Sequence, residues 1–107
     1  MEDTSNSVPH VILQQLGGQR FIAMTGAKSF AGGDRELSFR LSPNMTKGRS
    51  SLMRITLSKD DTYTLETMKV VRYEPVVLDT REQVHAGELR RAFTAMTGLD
   101  TSLGRTV

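Results

Sequence analysis

The sequence predicts an α+β domain: a three- to four-stranded antiparallel sheet, a C-terminal helix packed on one face, and a short N-terminal helix. Three observations predict it. Within Val84–Leu99, VHAGELRRAFTAMTGL, the residues Leu89, Ala92, Phe93 and Met96 fall on one helical face. Two heptapeptides, ELSFRLS from Glu36 and LMRITLS from Leu52, alternate apolar and polar residues as half-buried strands do. A third run, TYTLETMKVVRY from Thr62, is long, β-prone and free of glycine and proline. A single helix of this length is marginal in water, so its stripe requires the sheet.

Taken in order, Met1–Ser7 is expected to be a flexible tail. Ser7 can cap a short helix with Pro9 in its first turn, where a missing N–H costs little. Val11, Ile12 and Leu16 give that helix an apolar side, Gly17-Gly18 stops it, and an extended segment is the alternative. Arg20–Thr25, RFIAMT, has strand length and an apolar run, and is expected to be the first, buried strand. Lys28–Ala31 extends or bulges it, and Gly32-Gly33-Asp34 turns the chain. Leu37, Phe39 and Leu41 point inward from the next strand; Met53, Ile55 and Leu57 do so from the one after.

Pro43–Ser51 has loop composition, and Lys59-Asp60-Asp61 is a tight turn with Asp tolerated at positive φ. In Thr62–Tyr73, Tyr63 and Leu65 share one parity while Met68 and Val70 share the other. A bulge near Thr67, or partial cover on both faces, reconciles them. Glu74-Pro75 is expected to break the ladder, leaving Val76–Leu78 as a short edge strand or a cover for the core. Asp79 and Glu82 have capping-box spacing, so the last helix begins either there or near His85. Gly98 ends it and Leu99 folds back. No repeat, linker or low-complexity segment stands out. The expected organisation is a tail over 1–7, one domain over 8–103, and a tail over 104–107.

Composition bounds the function. The 107 residues are 37% hydrophobic and 24% charged, as in ordinary globular domains. Fourteen Lys and Arg against twelve Asp and Glu leave +2, which permits a polyanionic partner without demanding one. The absence of cysteine excludes disulfides, thiolate catalysis and cysteine-ligated metals. No signal peptide and no membrane-length apolar run is visible, so a cytoplasmic protein with no membrane partner is expected. The Asn44-Met45-Thr46 sequon is then a chance match.

No motif for catalysis, a cofactor or a metal stands. TGAKS, Thr25–Ser29, lacks the upstream glycine of a phosphate loop, and Gly17-Gly18 precedes a strand-like run, the reverse of the dinucleotide order. His10 and His85, even with Glu82 or Glu88, show no zinc spacing. Asp60-Asp61 sits in a turn, where both carboxylates face water, and Ser50-Ser51 carries no nucleophile signature. The one suggestive set is basic. Arg40 and Arg54 occupy polar faces of neighbouring strands, Lys69 and Arg72 lie on the next, and Lys47 and Arg49 sit in the connecting loop. Together they suit phosphate contacts with DNA or RNA, with Tyr63 and Tyr73 as the available stacking residues. An ordinary solvated sheet face is the alternative.

The segments RFIAMTGAKSF, ELSFRLS, RITLSKDDTYTLE and VHAGELRRAFTAMTGLDTSLG resemble a widespread group of small bacteriophage and mobile-element proteins. The resemblance runs from about His10 to Leu103. It implies a bacterial host cytoplasm and brings no biochemical activity and no site residues. Small phage proteins of this size bind nucleic acid, or bind and inhibit a host protein. The expected function is therefore a non-enzymatic accessory protein that binds nucleic acid; the alternative is a protein-binding modulator, for instance of a host defence complex.

Overall fold

A computed structural model describes residues 7–101. Its elements run α1 (Val8–Leu16), α2 (Gly18–Thr25), β1 (Lys28–Gly32), β2 (Glu36–Arg40), β3 (Leu52–Leu57), β4 (Tyr63–Val71), β5 (Glu74–Val84) and α3 (Leu89–Thr97). The five strands form one antiparallel sheet in sequence order, with β1 and β5 at its edges. The fold class is α+β, as expected, but the sheet has five strands where three or four were expected.

Both edge strands come from segments whose local sequence is equivocal. Lys28–Gly32 pairs with β2 through a bulge between Lys28 and Ala31. Glu74–Val84 pairs with β4 along its whole length, including Val70 opposite Pro75. The expected break at Pro75 does not occur, because a proline near the start of an edge strand leaves the rest of the ladder intact. The same pairing rules out a helix start at Asp79: the capping-box residues Asp79 and Glu82 are both in the strand.

Arg20–Thr25 is also not a strand. It lies within α2, where Phe21 and Thr25, one helical turn apart, are buried and Arg20 and Ala23 are exposed. Gly17, at φ 128°, ends α1 and lets the chain turn straight into α2. Ser7 caps α1 by accepting a hydrogen bond from the His10 N–H at 3.4 Å.

The core lies between the sheet and the helices. Ile12 and Leu16 from α1, Phe21 from α2, and Leu89, Phe93 and Met96 from α3 meet Leu37, Phe39, Met53, Ile55, Tyr63 and Leu65 from the strands. Phe39 is the hub: its ring meets Phe21 at 5.5 Å, Phe30 at 5.3 Å and Phe93 at 6.2 Å, and Phe21 also meets Phe93 edge-on at 5.1 Å. Such contacts add about 0.5–1.5 kcal/mol to area burial.

The bulge expected near Thr67 to bring Met68 inward is absent from β4; a bulge lies opposite it, in β5. Thr67 pairs with Asp79 and Met68 with Val77, leaving Leu78 over. Strand β4 therefore alternates without interruption, and Met68 lies on the face away from the helices. It is buried there, opposite Leu52 and Val77.

Helices α2 and α3 also share a sequence. Phe21–Gly26 reads FIAMTG and Phe93–Gly98 reads FTAMTG. Each segment ends its helix with glycine in the left-handed region, at φ 72° and 81°. Residues 1–6 and 102–107, which include most of the two expected tails, lie outside the described residues.

Candidate interaction surface

The six basic residues expected to form one surface are divided between regions. Arg40 and Arg54 lie on the open face of the sheet, Arg40 opposite Leu52 and Arg54 opposite Ser38 and Glu66. Arg54 is committed to a carboxylate: its Nε donates to Glu66 Oε1 at 2.9 Å and its Nη2 lies 2.9 Å from the same oxygen. A cross-strand pair of this kind contributes about 0.2–1 kcal/mol and removes a free cation from that face. Lys69 has the parity of Leu65 and Thr67, hence the opposite face, and pairs with Val76.

The other three cations are divided again. Lys47 and Arg49 flank a tight turn beside the end of α3. A methyl group built on Gly98 would lie 3.2 Å from Lys47 Cγ, and one on Gly48 would lie 3.8 Å from Leu78 Cδ1. Arg72 is at the tip of the β4–β5 hairpin. The Lys47–Arg49 turn thus abuts β5 at the base of the hairpin, while Lys69 and Arg72 belong to the hairpin itself.

That hairpin holds the residues that sequence reasoning missed. The exposed large apolar side chains among the described residues are Met45, Val70, Val71, Tyr73, Val76, Val77 and Leu78. All but Met45 fall within nine consecutive residues. Tyr73 is 98% exposed and Val77 48%. Single exposed apolar residues are ordinary; a contiguous group of them marks a contact surface. The signal was present in the sequence as valines on both parities of KVVRYEPVV. Partial cover on both faces is one of the two expectations for Thr62–Tyr73, whereas Val70–Leu78 is exposed on both sides.

The tip is strained as well. Val71 pairs with Glu74, so Arg72 and Tyr73 form a two-residue turn, with φ of 54° and 69°. Positive φ at both central positions marks a type I′ turn, which favours Asn-Gly. Bulky residues held there cost about 1–3 kcal/mol each. Strain of this size is tolerated where the side chains themselves are needed.

The remaining concavities are shallow. An open depression of about 600 Å³ beside α3 is lined by Arg90, Arg91, Thr94, Asp100 and neighbouring small residues. His10 is half-buried in the first turn of α1, and His85 is exposed ahead of α3. Among the described residues, no three His, Asp or Glu side chains are grouped as metal ligands. Asp60 accepts from the Thr62 hydroxyl at 2.6 Å and the Thr62 N–H at 3.1 Å, which lowers its pKa and ties it to the turn. Among the described residues, no helix is long and apolar enough to cross a membrane. No family model, curated protein or solved structure matches this chain.

Proposed function

We propose that the protein is a non-enzymatic accessory protein that binds another protein, with the β4–β5 hairpin as its recognition element. The observation that carries this reading is the concentration of exposed aliphatic and aromatic side chains in Val70–Leu78, with Lys69 and Arg72 on the same hairpin and the Lys47–Arg49 turn against Leu78. Aliphatic side chains contribute nothing to phosphate contacts, whereas an apolar centre with a charged rim is the anatomy of protein interfaces. The partner surface is accordingly an apolar patch with an acidic margin. The phage and mobile-element resemblance makes a host protein of the bacterial cytoplasm the natural partner class.

The test is site-specific crosslinking. A photoreactive residue at position 73 is expected to crosslink one defined host protein, competed away by unlabelled protein. That protein, purified, should bind the wild-type chain and lose affinity for Val77→Glu at unchanged fold. Retention of DNA or RNA at low salt, equally by wild type and Val77→Glu, would overturn the proposal in favour of nucleic-acid binding.

A further inference from the structure

We infer that a second copy of this chain pairs with the edge of β5 that carries no strand among the described residues, across a two-fold axis at Thr80. Strand β5 is the longest in the sheet and lies at its edge. Its pairing with β4 is regular over Glu74–Val77 and again over Asp79–Arg81, opposite Thr67–Leu65, with shifts at Leu78 and between Arg81 and Val84. The first stretch carries Pro75, which has no N–H to donate across the edge, and the second is centred on Thr80.

This centre makes the edge self-complementary. In an antiparallel pair about Thr80, Asp79 of each copy lies opposite Arg81 of the other, twice over. Moving the centre to Asp79 or to Arg81 sets like charges against each other, which is destabilising. Both side chains share the face of Leu65 and Thr67, beneath α3. Within one chain they are only loosely paired, with Arg81 Nε 3.9 Å from Asp79 Oδ2, both nearly half exposed. Inward-pointing charges on an edge strand deter pairing with unrelated strands. Here they also supply the complement for an identical one, the combination that specificity requires.

A three-residue ladder is short, so the flank of α3 must contribute. The space exists. An open depression between β5 and α3 is lined by Arg81, Val84, Glu88, Arg91, Ala92 and Ala95, and a second continues from Arg81 past Asp79. Ala92 and Ala95 present small side chains there, and Glu88 and Arg91 bring both signs of charge. A two-fold axis normal to the sheet would place both copies of α3 on the same side of a continuous ten-stranded sheet. This inference does not rest on the hairpin reading, and its test uses the purified chain without any partner.

The chain has no cysteine, so one introduced cysteine reports on itself alone. Residues facing each other across a two-fold axis have Cβ atoms about 4.5–5.5 Å apart, close to disulfide reach. Thr80→Cys is expected to form disulfide-linked dimers under mild oxidation much faster than Lys28→Cys on the opposite edge. Sedimentation equilibrium should show a wild-type dimer. Asp79→Arg and Arg81→Asp should each weaken it by roughly tenfold or more, and the double exchange should restore it. A wild-type monomer at every concentration, equal crosslinking at positions 80 and 28, or a double exchange that fails to restore association would each overturn the inference.

Discussion

Thr25 and Thr97 make the same two hydrogen bonds at the ends of two different helices. Each hydroxyl donates to the carbonyl four residues back, Thr25 to Phe21 and Thr97 to Phe93, both at 2.8 Å. Each oxygen then accepts the N–H two residues on, from Ala27 at 3.2 Å and Leu99 at 3.1 Å. The glycine between them reverses the chain. The phenylalanines that open the two segments meet edge-on at 5.1 Å. The repeated Phe-x-Ala-Met-Thr-Gly segment is thus a helix-ending device used twice, and it joins the two helices at the core.

Thr97→Val keeps the shape of the side chain and removes the acceptor for a buried N–H. Leaving such a donor unpaired costs about 1–3 kcal/mol. Thr97→Ser retains both bonds and should lose distinctly less. Urea denaturation of the two variants checks the ordering; equal stability would show that the hydroxyl is not what holds this turn.

The elements legible in the sequence were those whose burial is one-sided. Strands β2 and β3 alternate because one face meets the helices, and α3 carries its stripe because one side meets the sheet. Helix α2 reads as a strand because RFIAMT is too short for periodicity to separate helix from strand; Gly17 and Gly26, which bound it, decide the matter. The second half of β5 is illegible because an edge strand needs few inward apolar residues, so the polar run Asp79–Gln83 reads as a cap. The basic residues were visible, but their convergence depended on strand parity. That parity sends Lys69 to one face and leaves Arg54 against Glu66 on the other.

Gly26 and Gly98 separate two contributions to the value of glycine. Both have positive φ, so alanine at either is strained by about 1–2 kcal/mol. A Cβ on Gly26 meets nothing within 4 Å, while one on Gly98 meets Lys47 Cγ at 3.2 Å. Gly98→Ala is expected to cost more than Gly26→Ala. Combining it with Lys47→Ala should bring the two costs together, as thermal melts would show.

Burial raises the pKa of Tyr63; the contact with Gln15 works against it, and the nearby Asp61 carboxylate adds to it. Its hydroxyl donates to Gln15 Oε1 at 2.8 Å, tying β4 to α1. A raised folded-state pKa favours the protonated phenol. Its contribution is therefore complete below the unfolded value near 10 and is lost as pH rises toward the folded value. Tyr63→Phe should flatten the alkaline limb of the stability profile, with Tyr73→Phe as the matched control. An unchanged limb would remove Tyr63 from the account.

Phe93→Ala removes the ring that links α3 to Phe21 and Phe39. The residue is fully buried, so the expected loss is about 3–5 kcal/mol. At about 4–8 °C per kcal/mol for a domain of this size, the melting temperature should fall by roughly 15 °C or more. Arg90→Ala, on the exposed side of the same helix, should change stability by less than about 0.5 kcal/mol. The reverse ranking would mean that α3 is rotated about its axis.

The hairpin tip offers a prediction in which stability and binding move in opposite directions. Arg72 and Tyr73 occupy the two positive-φ positions of a two-residue turn, and neither residue type favours them. Tyr73 is almost wholly exposed, so removing it costs little packing. Replacing the pair with Asn-Gly fits the backbone as it stands and relieves the strain. The double variant Arg72→Asn, Tyr73→Gly should therefore be more stable than wild type, by about 1–2 kcal/mol in denaturant unfolding. If the tip is there for recognition, the same variant should lose the partner captured at position 73. A variant that is both more stable and fully competent to bind would show that the strained pair has no role in recognition. A less stable one would show that the turn is not held by the backbone preference proposed for it.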